Sequence, residues 1–379
     1  MTETRAMRSH GEIMVINQSL DAYLRNLLPL VALASMARSK NEDRRRSGRD
    51  RRQRQQEVES VRRQFRELGE RLKRLVSDPR LVDEALRVVE ETLQRSSDVK
   101  EVQAALKKWA AEKLSEVKAV PSGIPYCAPG DPLIETLRRE ARMCRGFVLT
   151  YEAMLSSKGL WGVSSGPLYS LFEVGVAIHP TLYTVYLPAS SVKGALRATL
   201  VSLCAQRASN KRECIHLAYE LFGAAEDLQR EERMLLEKLL GREGLRDLES
   251  RLEARTSCLV FTDAILVGCE NSAESCPIFE PYVITPHYRE ARSEFEAQPT
   301  PVVHVVLREK LVFRGCIATT CYCNSEDTLR KLASLLKLKV AAPEYMLAVL
   351  LKTALSQGIG ARTARGYSVF ILKELIIYR

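Results

Sequence analysis

Residues Gly358 to Tyr367 read GIGARTARGY, and they separate two runs of different period. Before them, Glu344 to Ser356 (EYMLAVLLKTALS) spaces its apolar residues as a helix does; after them, Tyr367 to Tyr378 is rich in Val, Ile, Leu and Phe, as strands are. Gly358, Gly360 and Gly366 let the backbone take φ > 0 and leave amide N–H groups uncovered, and Arg362 and Arg365 fix positive charge beside them, with Thr363 between. That combination suits a phosphate. A glycine-rich turn that merely joins helix to strand is the alternative. Two nucleotide-binding loops are excluded by order and spacing. A dinucleotide loop follows a strand and opens a helix, and its third glycine would fall on Thr363. A P-loop needs Lys and then Ser or Thr directly after its last glycine, where this chain has Tyr367 and Ser368.

A second informative stretch is Tyr186 to Leu200, YLPASSVKGALRATL. Pro188 stops an extended segment, Ser190 or Ser191 is placed to cap a helix, and Lys193 and Arg197, four apart, share one face near its start. A helix N-terminus presents unpaired N–H groups and partial positive charge, so Lys193 and Gly194 in the opening turns form a phosphate seat; an ordinary capped helix is the alternative.

With 379 residues the chain is long enough for more than one unit, and a net charge of +10 favours a polyanionic partner without saying which. Ten cysteines without a CxxC pair are expected to be reduced, packed thiols. The apolar run from Leu27, LLPLVALASMA, contains Pro29 and falls short of the ~20 apolar residues of a membrane span, so a cytoplasmic protein is expected. Arg38 to Arg54 carries almost no apolar residue and is either a mobile basic arm or a solvated linker. From Val58 to about Val117 the pattern is helical, and four prolines and two glycines between Ala119 and Pro132 mark a boundary. The expected division is an N-terminal helical region with the Arg-rich arm, residues 1–125, and a second domain, 140–379, with a helical insert near 205–255. Strands are expected at Arg145 to Leu155 and in CLVFTDAILVG. FEPYVITPHYRE should run from a strand into a loop, and VVHVVLREKLVFRGCIA alternates as a hairpin turning near Glu309 and Lys310.

FEVGVAIHP followed by YLPASSVKGALR, then FTDA, ITPHY and the GIGARTARGY loop, make an ordered set that resembles the RAMP superfamily, the RNA-binding proteins of CRISPR systems, and among them the subunits of the Cmr-type (type III-B) effector complexes. The likeness covers roughly Met143 to Tyr378. Ala189 and Ser368 stand where such proteins commonly have glycine, and Arg362 where lysine is common. The resemblance implies an α+β chain with a ferredoxin-like (RRM-like) RAMP fold, helical insertions and an added N-terminal helical region. It implies a non-catalytic subunit in antiviral defence that caps the filament at the 3′ part of the guide RNA and supports target RNA recognition. The partners implied are guide RNA, target RNA and other RAMP subunits of the Cmr complex, with no membrane. The implied RNA contacts are Ser190, Ser191, Lys193, Gly194, Arg197, His287, Tyr288, Gly358, Gly360, Arg362, Thr363, Arg365 and Gly366.

Residue chemistry leaves a rival open. His287, beside Tyr288 and Arg289, with Asp263 in the FTDA segment, has the acid–base character that a metal-independent endoribonuclease processing guide RNA requires. A protein-binding scaffold is a third reading. No paired carboxylates and no His or Cys cluster at metal-ligand spacing occur, so neither a metal nor a cofactor is expected. Aromatic residues are 6% of the chain, which argues against base stacking as the main mode of contact.

Overall fold

The computed structural model describes residues 51–74, 79–96, 98–119, 126–164, 168–169, 172, 174–180, 182, 184–225, 228–252, 254–270, 276–284 and 301–379. The Leu27 run, residues 38–50 of the Arg-rich run, His287 and Tyr288 lie outside them. In chain order the helices are α1 (Arg51–Lys73), α2 (Pro79–Arg95), α3 (Val99–Ser115), α4 (Pro132–Met143), α5 (Ala189–Arg207), α6 (Lys211–Phe222), α7 (Arg230–Arg251), α8 (Ser325–Leu335) and α9 (Pro343–Gln357). The strands are β1 (Lys118–Ala119), β2 (Val148–Leu155), β3 (Tyr186–Leu187), β4 (Leu259–Phe261), β5 (Ala264–Cys269), β6 (Cys276–Pro277), β7 (Phe279–Ile284), β8 (Val302–Leu307), β9 (Leu311–Thr319) and β10 (Phe370–Tyr378). The architecture is mixed α+β.

The chain divides into two compact units. One comprises Met1–Gly123, Lys158–Val185 and Asn271–Leu311. Its helices α1 to α3 are amphipathic: Val82, Ala85, Val89 and Leu93 of α2 recur at helical spacing and are buried, as are Val102, Leu106, Ala110 and Leu114 of α3. α3 packs on the antiparallel pair β7–β8, which supplies Phe279, Val305 and Leu307 to the interior. His304 is buried there edge-on to Tyr282, a structural placement.

The second unit comprises Ile124–Ser157, Tyr186–Glu270 and Val312–Arg379. Its sheet runs β10-β2-β9-β5-β3, with β4 also paired to β9. β2 is an interior strand, hydrogen-bonded antiparallel to β10 on one side and β9 on the other. Seven of its eight residues are buried, which explains an apolar run where a half-exposed strand would alternate. Val148 faces α4, in a cluster with Ile134, Ala141, Cys316 and Ala318. Glu152 and Arg314 stand directly opposite each other across β2 and β9, and Arg314 Nε donates to Glu152 Oε1 at 2.9 Å. α9 packs on β10 and on α5. The insert consists of α6 and α7, the latter kinked at Gly241.

Two expectations are corrected. β8 and β9 follow one another around Arg308 to Lys310, yet they are not a hairpin: β8 pairs with β7, and β9 with β2, β4 and β5. Alternation is the same whichever neighbour a strand selects. The cysteines are not all free thiols either. Cys144–Cys321, Cys204–Cys214 and Cys258–Cys323 are disulfide-bonded within the second unit, with Cα–Cα distances of 5.1, 5.5 and 5.5 Å. Cys127 and Cys316 are free and buried. Sequence separations of 177 and 65 show why a search for local CxxC spacing fails: the tertiary fold brings these residues together. Two of the bridges leave a single turn, holding Cys321 and Cys323 to the end of α4 and the start of β4. In a thiol titration of the denatured chain, these six cysteines, and Cys269 and Cys276, which are also disulfide-bonded, are expected to stay silent until a reductant is added. Reaction of all ten without reductant contradicts the bridging.

Candidate nucleic-acid interface

The glycine loop begins where α9 stops. Gly358 takes φ 91, and a Cβ there would lie 2.9 Å from the carbonyl oxygen of Tyr367, so only glycine fits the crossing. Ile359 is buried, and its N–H donates to the carbonyl of Ser368 at 2.9 Å, closing the loop at its base. Between these anchors Gly360 has φ 135, Arg362 and Gly366 are both left-handed, and Thr363–Arg365 forms one 3₁₀ turn. The Arg362 carbonyl accepts from Arg365 N–H at 2.8 Å and from Tyr367 N–H at 3.3 Å. Ser368, buried at φ 58, occupies a conformation that favours glycine.

The turn uses the amides of Arg365, Gly366 and Tyr367 and leaves the earlier ones without acceptors. Among the described residues, the N–H groups of Gly360, Ala361, Arg362, Thr363 and Ala364 have no acceptor, and Arg362 and Arg365 have no ion-pair partner. Successive free amides in a segment that carries two arginines suit an anion with several acceptor oxygens, such as a phosphate.

The opening of α5 differs from the expectation. Ser190 and Ser191 do not cap the helix; they lie in its first turn, and Pro188 at the N-cap has no side-chain acceptor to offer. Asp263 Oδ1 accepts from the Ala189 N–H at 2.7 Å instead. β3 pairs Leu187 with Ala264, so the break between β4 and β5 sets Asp263 beneath the helix start. The FTDA aspartate is thus a non-local cap, and a carboxylate already uses part of the positive helix end.

Lys193 is half-buried and has no ion-pair partner among the described residues. Burial, and then the charge of Arg197, push its ammonium below the ordinary lysine pKa. An anion beside it relieves both effects. Arg197 is engaged: its Nη2 lies 3.0 Å from Glu232 Oε1, and its guanidinium sits over the Tyr219 ring at 5.6 Å. The Tyr219 hydroxyl donates to the same Oε1 at 2.7 Å. Sequence reading missed Glu232 and Tyr219, because both come from the insert, and no local pattern links them to α5. Gly194 is exposed, and a Cβ on it would meet nothing within 4 Å. Thr199 Oγ1 hydrogen-bonds Gln357 Oε1 at 3.2 Å, one residue before the loop, which brings α5 to the loop's base.

Among the described residues no group of three His, Cys, Asp or Glu side chains is placed to hold a metal, and no helix is long and apolar enough to cross a membrane.

The RAMP superfamily profile matches residues 170–371, a span that includes α5, the insert, most of the sheet and the glycine loop. The chain belongs to the RAMP superfamily. Within it the chain is similar to the CRISPR system CMR subunit Cmr6 of Saccharolobus solfataricus (strain ATCC 35092 / DSM 1617 / JCM 11322 / P2), at 24% identity over 288 residues, 75% of this chain and 77% of that protein. The resemblance read from the ordered motifs, which points to the sixth subunit of Cmr complexes, is borne out. Two solved structures are also similar. A type III-B Cmr-beta complex bound to cognate target RNA contains a chain 22% identical, with 74% of this chain and 77% of that chain covered and a TM-score of 0.45. Cmr6 from Pyrococcus furiosus is 18% identical, with 60% and 98% covered and a TM-score of 0.30.

Replacing Asp263 with Ala removes the acceptor for the Ala189 N–H and is expected to cost about 1 kcal/mol, the usual worth of an N-cap. Urea unfolding checks it. An unchanged midpoint and slope would show that water caps α5 equally well.

Proposed function

We propose that the chain is a non-catalytic RNA-binding subunit of a type III-B (Cmr) CRISPR effector, capping its RAMP filament at the 3′ part of the guide RNA and supporting target RNA recognition in antiviral defence. The observation that carries this reading is the loop from Gly360 to Ala364, whose free amides lie beside the unpaired Arg362 and Arg365. Such contacts address the phosphate backbone and ignore base identity, as a protein that must accept any guide requires. Similarity to a CMR subunit supports the assembly partners, other RAMP subunits, and hence a cytoplasmic setting.

The sheet order supports a ferredoxin-like reading of the second unit. β2, α5, β4/β5, β9, α8/α9 and β10 follow as strand, helix, strand, strand, helix, strand, and the paired order is β10-β2-β9-β5. In the same proposal, residues 1–125 are an addition to a RAMP domain spanning 140–379. Lys193 and Gly194 form a second contact on α5, with Ser190 and Ser191 in its first turn; His287 and Tyr288 complete the RNA-binding set. Asp263 is assigned to holding α5, which takes one member from the endoribonuclease reading.

Arg362→Glu combined with Arg365→Glu tests the assignment. Both side chains lack partners, so the free variant should melt within a few degrees of the parent, while retention of guide RNA and co-purification of neighbouring subunits should fall at least tenfold. Normal RNA loading with a normal melting curve would reduce the loop to a turn. Cleavage of labelled RNA by the isolated chain would favour the endoribonuclease instead.

A further inference from the structure

Arg197 and Lys193 share a face of α5, yet their electrostatic situations differ. Lys193 has no counter-ion among the described residues, whereas Arg197 is held by a carboxylate from another part of the chain. Glu232 lies in the first turn of α7, and its Oε1 receives both the Arg197 guanidinium and the Tyr219 hydroxyl. The pair is not sealed in the core: the Arg197 and Glu232 side chains retain 35% and 25% of their accessible surface. An ion pair that reaches solvent is weak and exchangeable. A phosphate offers a guanidinium the same sign of charge with more acceptor oxygens, in a geometry that the planar fork matches bidentately.

Resting on the RNA-binding reading above, we propose that the helical insert carries a built-in competitor for RNA: the Glu232 carboxylate occupies Arg197 in the free chain and yields it to a backbone phosphate when a strand seats against Lys193. The insert then acts as an electrostatic latch on α5. Tyr219 is a positioning residue, because its hydroxyl fixes the Glu232 carboxylate and its ring supports the guanidinium. The latch lowers affinity for short or partial contacts. A strand that reaches Lys193 as well recovers the loss, since the incoming anion satisfies an unpaired cation and a paired one together. On release, Glu232 loses its tie to α5, so RNA occupancy is coupled to the freedom of the start of α7.

The test uses the full chain and a fluorescein-labelled, mixed-sequence single-stranded RNA, titrated at several salt concentrations. Glu232→Gln should tighten binding by about fivefold, the scale set by a half-exposed ion pair. Tyr219→Phe should shift affinity in the same direction by less. The gain should vanish in the Glu232→Gln, Arg197→Ala double variant. Glu231→Gln removes the same charge from the same helical turn, without an Arg197 contact, and should change affinity by less than about twofold. Lys193→Ala should reduce the log–log salt slope by about 0.7, one single-strand phosphate contact. If Glu232→Gln binds no tighter than Glu231→Gln while the Lys193→Ala loss is seen, the latch is wrong and the RNA-binding reading stands. If no form of the chain binds the RNA at any salt, both are wrong.

Discussion

The hydrogen bond from Ile359 N–H to the Ser368 carbonyl fixes the geometry of the candidate interface. It ties the residue just past the cap of α9 to the approach of β10, and both anchors are buried, so the intervening residues must reverse direction within a short span. Reversal under that constraint drives Gly358, Gly360, Arg362, Gly366 and Ser368 to positive φ. Once the backbone turns this way, the amides from Arg365 to Tyr367 are spent within the turn and those from Gly360 to Ala364 are left without acceptors. The proposed anion site is thus a consequence of loop closure, and the arginines add charge beside the free amides.

A second constraint acts at the start of α5. The register of β3 against β5 sets Asp263 under the helix, and Glu232 reaches Arg197 from the insert. Carboxylates therefore answer two of the positive features on this helix, leaving Lys193 and the glycine loop uncompensated. Net charge alone does not reveal this. Many individual cations are matched by carboxylates, as in Arg66 with Glu90, Lys113 with Glu84, and Arg314 with Glu152. What matters for a polyanion is where cations lack partners.

Local features were legible in the sequence. The helix before the loop, the strand after it, the amphipathic helices α1 to α3 and the glycine-dependent backbone of Gly358 and Gly366 all follow from period and residue type. So did family membership, because the motifs keep their order. Features made by distant residues were not legible. Ser190 and Ser191 look like caps until a proline at the N-cap and an aspartate some seventy residues on are placed around them. Arg197 looks free until the insert folds back. The strand before Glu309 and the one after it look like partners, but each finds another neighbour. Cys144 and Cys321 meet only through the packing that follows.

The central claim is that RNA is held by the amides of the glycine loop, and hydrogen–deuterium exchange reads those amides directly. In the free chain Gly360 to Ala364 should exchange at nearly unprotected rates, as amides without acceptors do. With saturating single-stranded RNA they should slow by at least about tenfold, while Ile359, already bonded to Ser368, changes little. Unchanged exchange across Gly360 to Ala364, under conditions where RNA is demonstrably bound, would contradict the account.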